Sequence, residues 1–170
     1  MLAQAATVDE LPAIGADDID LAGALALGGI FTRVEGRTPD AVVADLVARA
    51  ALPEACDRAE LLALLRDREA VGSTGVGDGI ALPHPHAQAL PGLDLPRVVM
   101  GLLDSPVDWS AYDGKPVDTV CVLICPSGDV HLRLLGQLAR ALQDPVLRSM
   151  LRERADGRQI VERVRALAAG

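Results

Sequence analysis

Two long apolar runs constrain the fold of this chain more than any other feature. Residues 97–103 and 117–125 are almost continuously apolar, and turn residues bound each run. A strand with one face in water alternates apolar and polar side chains, whereas a strand covered on both faces is apolar at nearly every position. The two runs therefore predict central strands of a sheet with other elements packed on both sides.

The segments around these runs carry the signals of helix starts. Thr38-Pro39-Asp40 combines a capping hydroxyl, a first-turn proline and an acid, and predicts a helix that ends near Leu52. Asp57, with Glu60 completing a capping box, predicts the start of a second helix. Further helices are predicted after Ser127 and over residues 146–152 and 158–167, and shorter strands over 29–35 and 80–82.

Size and composition limit the classes of protein. A chain of 170 residues fits one domain, and residues 1–27 form an N-terminal extension of unknown role that packs loosely or forms a short helix. The net charge of −8 and the single Phe, Trp and Tyr argue against a nucleic-acid surface, which needs basic and stacking side chains.

The cysteines and the hydropathy pattern indicate in which cellular compartment the protein is expected. Cys56, Cys121 and Cys125 have no CxxC spacing, which favours reduced thiols. No stretch reaches the roughly 20 uncharged apolar residues of a membrane span, and the N-terminus lacks the basic segment of a secretion signal. We expect a cytoplasmic protein without membrane insertion.

A glycine-rich segment that ends in histidines carries the strongest functional signal. Residues 72–79 contain four glycines and lead through the apolar strand 80–82 to His84 and His86. Glycines accept positive φ and let backbone amides approach an anion, and the strand delivers a neutral imidazole to the sheet edge. The pattern indicates phosphate chemistry on a histidine. It matches neither GxGxxG nor a P-loop, so no nucleotide cofactor is predicted.

Arg68 is the candidate cation for this chemistry. It shares one helical face with Leu61, Leu64 and Leu65, so its guanidinium is expected at the edge of the core. A charge stranded there is costly, which favours an anion as its partner. The alternative is an arginine that extends past the helix end into water.

His131 is the candidate neutral partner of His84. It falls in the first turn of the helix predicted after Ser127, on the apolar face, and the positive end of the helix dipole disfavours its charged form. A phosphoryl group on His84 would then be bound by His131 and Arg68 and, within the glycine-rich segment, by Ser73, Thr74 and Gly75.

A metal site formed by His84, His86 and His131 is the alternative interpretation of the histidines. Pro83 and Pro85 favour polyproline-like geometry, which would direct the first two rings apart. No motif supplies an evident fourth ligand. We therefore predict no metal.

These motifs together resemble a known family. The matching segments are Arg68-Glu69, residues 72–77, residues 79–84, residues 113–117 and His131-Leu132. They are similar to the enzyme IIA proteins of the bacterial sugar phosphotransferase system, in the fructose/mannitol branch that includes the nitrogen-regulatory enzyme IIA proteins. The resemblance covers about residues 28–168.

The resemblance implies a single α/β domain with a mixed central sheet and helices on both faces, which agrees with the predicted order of elements. It implies that His84 accepts a phosphoryl group from a histidine phosphocarrier, with Arg68 and His131 completing the site. The group would pass to an enzyme IIB, or its presence would signal to regulatory protein targets. The alternative is a regulatory module that keeps the fold and binds protein targets around His84 without catalysis.

Overall fold

A mixed sheet of five strands forms the centre of the molecule. The computed structural model describes residues 13–86 and 90–170. Its strands are β1 (Ile30–Phe31), β2 (Gly75–Gly77), β3 (Ile80–Ala81), β4 (Arg97–Val107) and β5 (Val117–Ile124), in the spatial order β1-β4-β5-β3-β2. The pairs β1–β4 and β3–β5 are parallel, and the pairs β4–β5 and β2–β3 are antiparallel.

The two apolar runs form β4 and β5, which lie side by side as antiparallel neighbours. Successive side chains of these strands point to opposite faces of the sheet and enter two separate cores. One core contains Val98, Met100, Leu102, Cys121 and Leu123, and the other contains Val99, Leu103, Val120, Val122 and Ile124. The prediction that both faces of these strands are covered is confirmed.

Helices cover both faces of the sheet. They are α1 (Leu21–Gly28), α2 (Pro39–Arg49), α3 (Arg58–Val71), α4 (Gly128–Ala141), α5 (Pro145–Arg152) and α6 (Gly157–Ala169). Helices α2 and α3 pack on one face, and α1, α4, α5 and α6 pack on the other. The predicted fold class, a single α/β domain with a mixed sheet between helical layers, is confirmed.

The helix starts follow from local capping. The Thr38 hydroxyl accepts a hydrogen bond from the Ala41 N–H at 3.2 Å. The Asp57 carboxylate accepts from the N–H groups of Ala59 at 2.8 Å and Glu60 at 3.2 Å. Each cap satisfies N–H groups that the first helical turn leaves without a partner.

Two segments near the N-terminus differ from their prediction. The strand expected over 29–35 ends at Phe31, and at Arg33 the chain adopts φ 53°, a left-handed conformation that ends the extended geometry. Within residues 1–27, where the expectation was loose packing or a short helix, helix α1 buries Leu21 and Leu25 in the core. Residues 1–12 lie outside the described part of the chain.

The glycine-rich segment contains a strand that the sequence did not predict. Its residues 75–77 form β2, which pairs with β3 as a short antiparallel hairpin. None of the helices in residues 13–86 and 90–170 is both long enough and apolar enough to cross a membrane.

Candidate functional site

The site lies where two parallel strands end. Because β3 and β5 are parallel neighbours, their carboxyl ends meet at the same edge of the sheet. Pairing continues one step beyond β3, where the Leu123 N–H donates to the Pro83 carbonyl at 2.9 Å. His84 follows immediately, and β5 leads through Ser127 into α4. In α/β sheets this edge is the usual place for a ligand.

His84 and His131 are in contact at this edge. Their ring centroids are 4.8 Å apart and their planes are inclined by 37°. The Ser127 hydroxyl caps α4 by accepting from the Val130 N–H at 3.3 Å, which places His131 in the first turn of the helix. Both histidines are half-buried. The structure thus brings together the two histidines that the sequence paired across 46 intervening residues.

One hydrogen bond determines which nitrogen of His84 is free. The Nδ1 atom lies 2.8 Å from the Leu82 carbonyl oxygen. A carbonyl oxygen can only accept, so Nδ1 carries the proton, and a neutral imidazole then has its lone pair on Nε2. In the neutral ring, the nitrogen of His84 with a free lone pair is therefore Nε2.

The surroundings of His131 favour its neutral form. Burial is the larger cause and the nearby His84 the smaller one, and both lower the pKa of His131 below its ordinary value. The N-terminus of α4 acts in the same direction, because the partial positive charge there opposes an imidazolium. A neutral His131 can donate a single N–H.

Arg68 lies in the last turn of α3, at the end of the face that buries Leu61 and Leu65. The residue is half-buried, and Nη1 donates to the Gly72 carbonyl at 2.9 Å. Arginine has five N–H donors, so this bond leaves most of them available. The role of Arg68 toward a phosphoryl group stays a prediction.

The predicted phosphate-binding residues already have partners within the protein. The Ser73 hydroxyl donates to the Trp109 carbonyl and accepts from the Gly75 N–H, the latter at 3.0 Å. The Thr74 side chain is 4% exposed, and its hydroxyl donates to Glu69 Oε2 at 2.6 Å. Phosphate binding by Ser73, Thr74 and Gly75 stays a prediction, and it would require these bonds to be exchanged.

Glu69 and Trp109 are site neighbours that the sequence reasoning did not assign. Glu69 Oε1 accepts from the Thr74 N–H at 3.0 Å, and Trp109 Nε1 donates to the Thr74 hydroxyl at 3.2 Å. Glu69 stands in the Arg68-Glu69 motif, and Trp109 is the only tryptophan of the chain. The motif and the single tryptophan could have drawn attention to these two residues. Neither feature predicts that both side chains contact Thr74.

The Asp113-Gly114-Lys115 motif holds the opposite end of the hairpin. The Asp113 carboxylate accepts from the N–H groups of Asp78 at 2.8 Å and Lys115 at 3.1 Å, and these bonds lower the pKa of Asp113. Asp78 has φ 54° and Gly77 φ 91°, so the hairpin turn is left-handed at both positions. The motif therefore stabilises the turn between β2 and β3 rather than contacting the histidines.

The remaining histidine and the cysteines differ in their exposure. His86 is exposed. Burial raises the pKa of the Cys121 thiol to about 12 and of the Cys125 thiol to about 11, which keeps both protonated at neutral pH. Within the described ranges, no group of three or more His, Cys, Asp or Glu side chains is arranged to bind a metal ion.

A family model and a curated relative are similar to this chain over most of its length. The family described as phosphoenolpyruvate-dependent sugar phosphotransferase system, EIIA 2, matches residues 25–166. A nitrogen regulatory protein of Pseudomonas aeruginosa is 44% identical over 112 residues, which are 65% of this chain and 70% of that protein.

Two solved structures share the fold. The crystal structure of the nitrogen regulatory protein IIA-Ntr from Neisseria meningitidis has a TM-score of 0.67 at 25% identity, covering 79% of this chain and 91% of that one. The mannitol enzyme IIA of Escherichia coli, solved by NMR in complex with phosphorylated mannitol enzyme IIB, has a TM-score of 0.62 at 18% identity. The latter match covers 81% of this chain and 94% of that one, and it supports the fold alone.

The family match includes the glycine-rich segment, both contacting histidines and the two central strands. The relatives in sequence and in structure agree with it. The chain therefore belongs to the EIIA 2 family of the phosphoenolpyruvate-dependent sugar phosphotransferase system.

Proposed function

We propose that this protein is a phosphoryl carrier that accepts a phosphoryl group on Nε2 of His84 from a histidine phosphocarrier in the cytoplasm. The observation that carries the proposal is the His84 ring itself. Its Nδ1–H is bound to the Leu82 carbonyl, which leaves Nε2 unprotonated, and His131 lies 4.8 Å away between centroids.

Phosphoryl transfer between two histidines requires that the two rings are positioned in line and that the charge of the phosphoryl oxygens is stabilised. The Nε2 lone pair of His84 attacks the phosphorus atom, the bond from phosphorus to the donor imidazole breaks, and that imidazole leaves with the electron pair. No general base is required, because the attacking nitrogen carries no proton. The enzyme must then stabilise the negative charge of the phosphoryl oxygens.

We propose that three groups stabilise that charge. The free N–H groups at the start of α4 form a natural anion site, and a neutral His131 adds one donor. Arg68 supplies the positive charge with the guanidinium donors that Gly72 does not use. Ser73, Thr74 and Gly75 would bind the oxygens only after giving up their present partners.

The partners follow from the chemistry of a carrier. We propose that phosphorylated His84 either passes its group to an enzyme IIB or signals to regulatory protein targets. Two apolar side chains next in sequence to site segments are exposed, with Val71 73% and Leu132 66% accessible. The likeness to nitrogen regulatory proteins favours signalling.

A second candidate is a regulatory module that binds its targets through this face without transferring phosphate. The names of the nitrogen regulatory relatives are the observation in its favour. The two candidates differ in whether His84 is ever phosphorylated, so one assay separates them.

The test is a phosphorylation assay of the full chain. Incubation with enzyme I, a histidine phosphocarrier and phosphoenolpyruvate is expected to add one acid-labile phosphate, seen by intact mass. His84→Ala should abolish the labelling, and the matched variant His86→Ala should retain it. Absence of label in the wild-type chain would favour the non-catalytic module, and a label lost only in His86→Ala would contradict the assignment of His84.

Transport and regulation are separated by the acceptor. Transfer of the label to a purified enzyme IIB of the fructose or mannitol type would support sugar transport. Binding of regulatory target proteins that changes with the phosphorylation of His84, without such transfer, would support regulation.

A further inference from the structure

A buried polar chain lies beside the hairpin that leads to His84. Both oxygens of the Glu69 carboxylate bind the same residue, Thr74, one through its N–H at 3.0 Å and the other through its hydroxyl at 2.6 Å. The indole N–H of Trp109, a side chain only 2% exposed, donates to the same hydroxyl at 3.2 Å. Thr74 is thus held from two sides by α3 and by the segment that follows β4.

Backbone hydrogen bonds connect the position of Thr74 to the position of His84. The Thr74 carbonyl accepts from the Leu82 N–H at 3.0 Å, and the next peptide is held by the bond from the Leu123 N–H to the Pro83 carbonyl at 2.9 Å. The Leu82 carbonyl lies between these two anchors. It is the group that accepts the proton of His84 Nδ1 at 2.8 Å.

The strands alone would hold this arrangement weakly. Strand β3 has two residues and β2 has three, and two of those three are glycines. Such short pairing fixes register poorly, and glycine allows many backbone conformations. Charge-assisted bonds from one carboxylate to one residue are stronger and more directional than neutral ones, so Glu69 supplies the order that the hairpin lacks.

We propose that Glu69, acting through Thr74 and Trp109, is a positioning residue that keeps the Leu82 carbonyl opposite His84 Nδ1 and so selects Nε2 as the nitrogen that is phosphorylated. The inference that Glu69 fixes the tautomer of His84 rests on the hydrogen bonds alone. The part concerning phosphate rests on the proposed function of His84.

Four variants of the full chain isolate the effect. Thr74→Val removes the hydroxyl and keeps the shape, and Thr74→Ser keeps the hydroxyl. Glu69→Met removes both acceptors at a half-buried position and keeps a side chain of similar length. Thr119→Val is the matched control, because Thr119 is 3% exposed and its hydroxyl bonds only to the adjacent Asp118 among the described hydrogen bonds.

The first readout is the His84 tautomer, measured without phosphate by long-range ¹H–¹⁵N correlation of the imidazole nitrogens. The wild-type chain, Thr74→Ser and Thr119→Val are expected to carry the proton on Nδ1. In Thr74→Val and Glu69→Met we expect a mixture of the Nδ1–H and Nε2–H forms. A wild-type proton on Nε2, or an unchanged tautomer in whichever of these two variants is folded, would overturn the proposal.

The second readout is the phosphorylated product. With enzyme I, the phosphocarrier and phosphoenolpyruvate, we expect phosphate on Nε2 in the wild-type chain. In Thr74→Val and Glu69→Met, initial rates should fall roughly tenfold to a hundredfold, as for a misplaced reacting group, and some phosphate should appear on Nδ1. Thr74→Ser should recover the wild-type rate and position.

The two proposals fail in different ways. If the wild-type chain takes no phosphate, the proposed function fails, and the tautomer measurement still decides the role of Glu69. If the wild-type chain is phosphorylated on His84 and Glu69→Met keeps both the tautomer and the rate, the positioning role fails and the carrier function stands.

Discussion

The two contacting histidines have different surroundings. His84 donates through Nδ1 to a backbone carbonyl, whereas His131 is held in the first turn of α4 with its pKa lowered by burial and by His84. In the proposed function, the pair combines the attacking nitrogen of His84 with a neutral donor on His131. Two charged imidazoles at this distance would repel each other and would leave no lone pair for attack.

The lowered pKa of His131 predicts a pH dependence of stability. Because the folded state disfavours the charged imidazole, the unfolded chain binds more protons as the pH falls below the ordinary histidine value of 6.5. This contribution is absent above that pH and destabilises the fold below it. We expect the free energy of unfolding in urea to fall between pH 7 and pH 5, and His131→Gln to reduce the slope.

His86→Gln is the matched control for this measurement, because His86 is exposed. Its slope should equal that of the wild-type chain. If the free energy of unfolding of His131→Gln changed with pH as steeply as that of the wild-type chain, His131 would not contribute to the pH dependence.

Substitution of Arg68 is expected to slow phosphorylation of His84 without unfolding the protein. Removing a positive charge that stabilises a transferred phosphoryl group typically costs at least about a hundredfold in rate. We expect Arg68→Ala to slow phosphorylation of His84 by about that factor, and Arg68→Lys to recover part of it, as measured by initial rates of labelling.

Arg66→Ala is the control on the same helix. Arg66 is exposed and pairs with Asp40, with Nη2 at 3.1 Å from Oδ2. Its labelling rate should match the wild-type rate. Equal rates for Arg68→Ala and Arg66→Ala would remove Arg68 from the site.

At the scale of elements, the contact between α1 and β4 depends on a glycine. A Cβ atom added to Gly28 would overlap the backbone of Val98, so α1 can pack this close to the strand only without a side chain there. In α4, a Cβ added to Gly136 would have no neighbour within 4 Å. The same substitution therefore has opposite expected effects in the two helices.

We expect Gly28→Ala to lower the free energy of unfolding by about 1–3 kcal/mol, the usual cost of overpacking. Gly136→Ala should raise it by roughly 0.5–1 kcal/mol, because alanine favours the helix over glycine. Urea denaturation measures both. A Gly28→Ala chain as stable as the wild type would show that α1 does not pack as described.

Element prediction succeeded where the signal is local. The caps at Thr38 and Asp57 and the central strands β4 and β5 were predicted, because capping residues and continuous apolar runs act within a few residues. The placement of α1 and the existence of β2 were not predicted. The placement of α1 depends on a partner distant in the chain, Val98 in β4. Strand β2 has three residues, two of them glycines, and local propensity does not favour a strand there.

At the scale of the whole molecule, the sheet separates two cores and brings distant segments to one edge. Helices α2 and α3 contribute to the core that holds Trp109, and α4 contributes to the other. His84 reaches the edge on β3 and His131 reaches it after β5. The parallel pairing of these strands therefore creates the site that neither segment contains alone.

The sequence by itself determined the fold class, the helix starts and the residue types of the site. Apolar periodicity, caps and the glycine-to-histidine segment are local patterns, and their chemistry is readable before folding. Only the tertiary structure decided which nitrogen of His84 is free and that Glu69 and Trp109 hold Thr74. The bond from Trp109 to Thr74 joins residues 35 positions apart, and no local pattern encodes a hydrogen bond of that span.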